Sequence, residues 1–390
     1  MGILIRILSL ACFFCIAASA SAQYQAIDRH ARKAPDSLRY DLPKLVAYLI
    51  EPAETEVERA RSLYAWLVHN IAYDEEASAQ GRRINQNIGQ ILRRGRGLCF
   101  DYSLLYVELC RQAGLQCLSV SGYSRPGLDS LALPSVPGHS WNALLLDGEW
   151  RLVDATWGAS PGEDALMAQY NTGYFLTPPR LFILNHLPAL PMWQLLPCPV
   201  TPEEFSRPAG TLLSLIDGRD SCSHYRDTIA AFVLLGEARQ RLLEAEGTYR
   251  FHPTPGNRQA WAQAITDQAV YLSEQAGPLQ KEDSLEVFLE FQDKAIGYCR
   301  KARELAAPLP WQTEFYAGLL VNRAVALNQL SGESDTVESE LRQLKDGLES
   351  LREARQVLLT LPEENYYRQY ALRQCEAYQE VFEHNIGRLE

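Results

Sequence analysis

Apolar side chains along this chain recur at helical spacing at both ends and at strand spacing between them. Leu42, Leu45, Val46 and Leu49, then Val57, Ala60, Tyr64, Leu67 and Val68, fall three and four residues apart. That spacing predicts helices from about Ile27 to Asn70, broken at Glu51-Pro52-Ala53-Glu54-Thr55. After Tyr73 a polar stretch carries Arg82, Arg83, Arg93, Arg94 and Arg96 and ends in Gly95-Arg96-Gly97; it reads as a loop with one short helix near Ile88 to Leu92. A helix from about Cys99 to Ala113 follows, stopped by Gly114, and then a β-rich block from Leu115 to about Trp157. Prolines crowd Pro178 to Pro208, a wrapping segment that leads out of the first domain.

Beyond Gly210 the pattern is helical throughout. Phe288, Phe291, Ala295 and Cys299 form one stripe, Leu320, Ala324 and Leu327 another, and Leu341, Leu344, Leu348 and Leu351 a third. This half is an all-α bundle or array of antiparallel helices. Asp293 to Pro308 and Leu348 to Pro362 loosely resemble tetratricopeptide-type helix pairs, but the period is irregular, so a plain bundle stays open beside a repeat array.

Composition narrows the class. A chain of 390 residues, 47% hydrophobic, exceeds one ordinary core and is too apolar for disorder, so two domains are expected. A formal charge of -11 gives no sequence-independent grip on phosphates, and no nucleic-acid partner is expected. The 9 cysteines are too sparse for a stapled scaffold and show no paired CxxC set of the zinc-site kind, so neither metal nor cofactor is expected.

The first residues read as an address. Arg6, the apolar run Ile7 to Ala18, and Ala20-Ser21-Ala22 before Gln23 have the form of a signal peptide, residues 1–22, cleaved after Ala22. The apolar run is shorter than the roughly 20 residues that span a bilayer, so the mature chain is expected to be secreted or periplasmic, with no membrane span. Ser9 stands where lipoprotein signals place leucine, which argues against a lipid anchor at Cys12. With Cys12 and Cys15 removed, seven cysteines remain; at least one thiol is then unpaired in an oxidising compartment, and the pairing of the others is open.

Three residues of the first domain point to chemistry: Cys99, His139 and Asp154. Cys99 opens its helix behind Arg96-Gly97-Leu98, where the positive end of the macrodipole and nearby arginines favour a thiolate. A free amide at that helix start could also donate to an oxyanion. His139 and Asp154 belong to one hairpin centred on Asp147-Gly148, a pair suited to a two-residue type I′ turn. With that loop Leu146 faces Glu149, Trp141 faces Asp154, and His139 faces Thr156. His139 and Asp154 are then diagonal neighbours on one face, about 7–8 Å apart at the backbone; a one-residue slip would part them. A thiolate nucleophile, an imidazole that handles its proton and a carboxylate that orients the ring make an acyl-transfer triad.

These residues sit in stretches that resemble a known family. Gly97-Leu98-Cys99-Phe100-Asp101-Tyr102, Gly122-Tyr123-Ser124, Gly138-His139-Ser140-Trp141-Asn142 and Leu152-Val153-Asp154-Ala155-Thr156-Trp157-Gly158 together look like the transglutaminase-like superfamily. The likeness is greatest to its kyphoscoliosis-peptidase-like branch, which includes many secreted bacterial proteins. Arg59 to Asp74 is similar to the helix before that core; Tyr174-Phe175-Leu176-Thr177-Pro178-Pro179, His186-Leu187-Pro188 and Trp193-Gln194-Leu195-Leu196 resemble the branch's extension. The resemblance covers about residues 27 to 206. It implies an α+β, papain-like core with the nucleophile helix on an antiparallel sheet, followed here by the all-α domain. It also implies nucleophile Cys99, base His139 and orienting acid Asp154. Phe100-Asp101 replaces the Glu-Gly pair common in relatives, a change expected at the rim of the cleft. No acidic loop of EF-hand type appears, so calcium is not implied.

Other positions complete the picture. Trp141 shares a face with His139 and is a candidate wall of the substrate groove, with an aromatic core role as its alternative. His186 lacks a patterned partner and reads as structural, and the arginine run reads as a solvated loop. Cys110 lies eleven residues along the helix from Cys99, about 16 Å by the helical rise, too far to resolve it. The expected organisation is a signal peptide at 1–22, a catalytic domain at 23–206 and a helical domain at 207–390. The expected activity is cysteine-dependent acyl transfer on peptide or protein amides, as peptidase, amidase or transglutaminase, with the C-terminal helices recruiting a protein partner or shielding the cleft. A noncatalytic binding scaffold on the same fold is the alternative.

Overall fold

The computed structural model describes residues 24–390 apart from 82–86, 126, 128, 130–131, 160–173, 223–224 and 280–283; the expected signal peptide lies outside the described residues. The chain divides into two compact units, one ending at Ala230 and one running from Ala231 to Glu390. The expected boundary at residue 206 falls short of this, because the next segment is tied back into the first unit. Cys198 and Cys222 form a disulfide with Cα atoms 5.0 Å apart. Arg180 forks onto the Asp217 carboxylate at 2.7 and 2.5 Å, and Arg125 Nη1 donates to the Arg207 carbonyl at 2.6 Å.

The first unit opens with α1 (Gln25–Arg32), α2 (Leu42–Ile50) and α3 (Glu56–Asn70). Local chemistry sets their starts: Asp41 accepts the Lys44 amide at the head of α2, and Thr55 with Glu58 forms a reciprocal capping box at α3. Arg61 on α3 grips Asp28 on α1 at 2.8 and 2.7 Å among the rings of Tyr24, Tyr64 and Phe175. A parallel pair, β1 (Ala72–Tyr73) and β2 (Arg96–Gly97), brackets α4 (Glu75–Ala79) and α5 (Ile88–Arg94). In the arginine run, Arg94 reaches the buried Asp74 at 3.0 Å while Arg82 and Arg83 lie outside the described residues.

Next come α6 (Cys99–Gln112), β3 (Gln116–Ser124), β4 (His139–Leu146), β5 (Glu149–Val153), α7 (Ala155–Ala159), α8 (Pro179–Phe182) and β6 (His186–Pro188). The four strands form one antiparallel sheet in the order β5-β4-β3-β6. Tyr102, Leu105, Tyr106 and Leu109 of α6 share one core with Leu63, Trp66 and Leu67 of α3 and with Leu144, Leu146 and Val153 of the sheet. This is the α+β arrangement expected, with the Cys99 helix laid on the sheet.

Gly122 is the tightest point of that sheet. A Cβ there would run into the Trp141 ring on β4 and the Leu187 carbonyl on β6, neither of which can yield. Gly122→Ala is expected to cost about 3 kcal/mol, read as a lower urea midpoint with unchanged slope.

The first unit closes with α9 (Pro202–Phe205) and α10 (Ala209–Asp217); α11 (Arg226–Val233) straddles the division. The second unit is all-α: α12 (Glu237–Phe251), α13 (Pro255–Ala276), α14 (Leu285–Leu305), α15 (Pro310–Ser331), α16 (Val337–Leu358) and α17 (Tyr366–Leu389), each packed on the next. The stripes predicted from spacing are buried at Phe288, Ala295, Cys299, Leu320, Ala324, Leu344, Leu348 and Leu351. From α13 onward the helices run 21 to 24 residues, too long for two to fit a repeat of about 34, so the array is one of long helices. Among the described residues no helix is long and apolar enough to cross a membrane.

Candidate active site

Cys99 is the first residue of α6, and its surroundings are built by its neighbours in sequence. Gly95, at φ 61°, ends α5 in the left-handed region, and β2 then hydrogen-bonds beside β1. Gly97 has no side chain because Asp101 occupies that space: a Cβ would lie 2.6 Å from the Asp101 Cβ. The Asp101 carboxylate accepts the Leu98 N–H at 2.8 Å, closing the helix start from inside. Asp101 is therefore buried beneath the turn rather than placed at a rim as expected, and Phe100, 55% exposed, is the residue that faces outward beside Cys99.

His139 opens β4 and Asp154 directly follows β5. The register is the one the turn predicts: Leu146 pairs with Glu149, and the ladder continues to Asn142 with Val153. Asp147 and Gly148 both sit at positive φ, 49° and 78°, as a type I′ turn requires. The two side chains meet, with His139 Nε2 2.7 Å from Asp154 Oδ2. Cys99 acts on the same ring as one of the influences that raise its proton affinity. Because the carboxylate can only accept, Nε2 carries the proton and Nδ1 is the ring nitrogen left open to other chemistry.

Asp154 is fully buried and its four acceptor sites are filled. Oδ1 takes the Thr156 and Trp157 amides at 2.8 and 3.1 Å, capping α7. Oδ2 takes His139 and, at 3.0 Å, Nε2 of His186. Burial, the largest influence, pushes the carboxyl up, yet the charge and hydrogen bond of His139 and the contact with His186 outweigh it and hold it well below the usual carboxylate range. Burial likewise works to neutralise His139, but the influence of Asp154 and of Cys99 prevails and its pKa is raised to about 9.

Rings enclose this cluster. Trp141, for which the sequence leaves groove wall and core both open, is 1% exposed and packs on His139, His186 and Phe182 at centroid distances of 5.7, 5.0 and 5.7 Å, so it takes the core role. The half-buried aromatic beside His139 is Trp157, at 5.6 Å, a position that no local pattern marks. Tyr174 and Leu176 hold positive φ, 62° and 51°, and the Tyr174 carbonyl accepts the Asp154 N–H at 3.0 Å, so backbone strain is stored against the site.

His186 departs most from expectation: it has a partner, and that partner is Asp154. Its strand β6 pairs with β3 across Gly122, a contact that no local spacing announces. The ligand atoms of His139, Asp154 and His186 lie within 4.8 Å of one another, close enough for a metal ion to be considered. Asp154 Oδ2 is already saturated by the two imidazole N–H groups, so the set is built as a hydrogen-bond network rather than as open ligands.

The remaining cysteines divide simply. Cys198 and Cys222 pair, while Cys110, Cys117, Cys299 and Cys375 are buried thiols, which leaves Cys99 as the partly accessible one among the described residues.

Residues 43–155 match the family model of the Transglutaminase-like superfamily. The chain is similar to human Kyphoscoliosis peptidase, 37% identical over 190 residues that make up 47% of this chain and 28% of that protein. It is similar to mouse Kyphoscoliosis peptidase, 38% identical over 43% of this chain and 26% of that protein, and to Hillarin of Drosophila melanogaster, 30% identical over 47% and 24%. The chain spans about a quarter of the length of these curated relatives.

Proposed function

We propose, from the premise that this chain carries a transglutaminase-like domain followed by a helical unit, that it is a cysteine-dependent acyltransferase acting on peptide or protein amides. The observation that carries the reading is the buried His139–Asp154 hydrogen bond, on a ring whose proton affinity Cys99, the first residue of α6, also raises. Cys99 Sγ attacks the amide carbonyl while its proton resides on His139 Nδ1. The N–H groups of the first turn of α6, which have no carbonyl within the helix to pair with, favour the developing oxyanion. His139 then hands its proton to the departing amine, leaving a thioester on Cys99. Water completes a hydrolysis; an amine completes a transamidation. Hydrolysis is preferred, since water is abundant and no feature marks an acceptor-lysine site. Two of its relatives are named as peptidases, in keeping with that choice.

Export to the periplasm or medium belongs to the same proposal; the Cys198–Cys222 disulfide supports it, because such bonds persist in oxidising compartments. The helical unit is proposed to recruit a protein partner.

The test is to incubate the full chain with a peptide and amine library and to search Cys99 for an acyl adduct by mass spectrometry. An adduct that turns over to acid or amide is expected. Absence of both adduct and product, with the fold intact, sinks the catalytic reading in favour of a binding scaffold.

The pH profile follows from His139. Its raised pKa means that the imidazolium persists at neutral pH and is lost as pH climbs through about 9. Because protonated His139 must supply the leaving amine, kcat/KM is expected to fall along an alkaline limb near that pH. Stability carries the same sign: the His139 contribution is complete below 6.5, the ordinary histidine value, and fades as pH rises through about 9. A steady-state pH series with parallel thermal melts measures both; a limb that ends near 6.5 contradicts the assignment.

A further inference from the structure

We infer that His186 is a positioning residue of the proposed acyl-transfer site, holding Asp154 through a second imidazole hydrogen bond so that the carboxylate is shared between two rings. This deepens the acyl-transfer reading and rests on it. Asp154 Oδ2 receives His139 at 2.7 Å and His186 at 3.0 Å, both through Nε2. The His186 ring cannot turn away: it is completely buried, stacked on Phe182 at 4.2 Å and flanked by Trp157 at 4.4 Å, Trp141 at 5.0 Å and Tyr174 at 5.6 Å. Its other nitrogen, Nδ1, meets the Asn185 side chain at 2.6 Å, and Asn185 in turn meets the Tyr174 hydroxyl at 2.9 Å.

A chain of hydrogen bonds thus runs from Tyr174 through Asn185 and His186 to Asp154 and His139. Each link is a buried polar group that would be costly to leave unpaired, so the links fix one another. The backbone supports the same geometry. Strand β6 pairs with β3 at Tyr123↔Leu187 and Ser124↔His186, and the Arg125 amide donates to the Asn185 carbonyl at 3.0 Å. The titratable groups facing His186 are Asp154, His139 and Tyr174, with the Cys99 thiol one step further, on His139.

The chemical consequence has a definite sign. A donor on Oδ2 draws charge away from the oxygen that holds His139, so His186 makes the imidazolium a better proton donor than a lone Asp154 partner would. Removing that donor strengthens the hold of Asp154 on the His139 proton and moves the loss of imidazolium to higher pH. A residue that merely filled space would leave that pH unchanged.

The experiment uses iodoacetamide as the probe and needs no substrate. The alkylation rate of Cys99 in the full chain is recorded against pH for wild type, His186→Phe, which keeps the aromatic volume, and His186→Gln, which keeps an N–H donor. The step assigned to His139 is expected to move up by about one pH unit in His186→Phe and to return toward wild type in His186→Gln. An unmoved step in a folded His186→Phe protein overturns the proposal. The wild-type protein gives a second readout if that variant fails to fold: nitrogen chemical shifts must place a proton on Nε2 of His186, and a bare Nε2 at neutral pH overturns it equally. Failure of the catalytic reading is separate, since it appears as a missing acyl adduct while the alkylation profile stays measurable.

Discussion

Cys99→Ala is expected to lower turnover of peptide amides by about a million-fold, to the level set by binding alone, because losing a nucleophile removes the covalent route altogether. The fold should not notice. Cys99 is only half-buried, its helix start is secured by Asp101 rather than by its own side chain, and alanine is the better helix former. Rate and stability therefore separate in one variant: a thermal midpoint within a degree or two of wild type, and no acyl adduct. Retained turnover in Cys99→Ala would refute the triad outright.

The second large effect is that of Asp154→Asn, about ten-thousand-fold in kcat, the loss seen when a buried triad carboxylate is made an amide. Here the change also strikes the fold. Asp154 receives four N–H donors, two amides at the head of α7 and two imidazoles. An asparagine oxygen can keep only one of these pairs, and its NH2 group must face the other, donor against donor. About 3 kcal/mol of stability should go with it, since buried donors are stranded. The pH profile separates this from simple damage. Without the carboxylate, burial governs His139 and drives it below its ordinary value of 6.5, so the alkaline limb moves down, opposite to the shift expected for His186→Phe. A limb that stays near pH 9 in Asp154→Asn would show that Asp154 does not hold the His139 proton.

Much of the candidate site is legible in the sequence. The Asp147-Gly148 turn fixes the register through the positive φ it demands, and a period of two then places His139 and Asp154 on one face. The start of α6 at Cys99 was equally readable from the glycines ahead of it and the apolar spacing behind. Both are local rules acting over fewer than about twenty residues. Where the spacing left a position open or misplaced it, packing decided. Of its two readings Trp141 takes the core one because Phe182 and His186 pack against its ring, and Asp101 went inside because Gly97 leaves it room. The domain boundary moved past 206 because a disulfide and two arginines reach back across the proline-rich segment.

The sequence by itself determined the main helices, the hairpin register, the position of Cys99 at a helix start and the helical character of the second unit, because capping, turn chemistry and hydrophobic period are properties of neighbouring residues. Only the tertiary structure decided that Asp154 serves two imidazoles. His186 lies 32 residues further along the chain and arrives on a strand whose pairing with β3 depends on Gly122 being bare, a condition of packing that no stretch of sequence states alone.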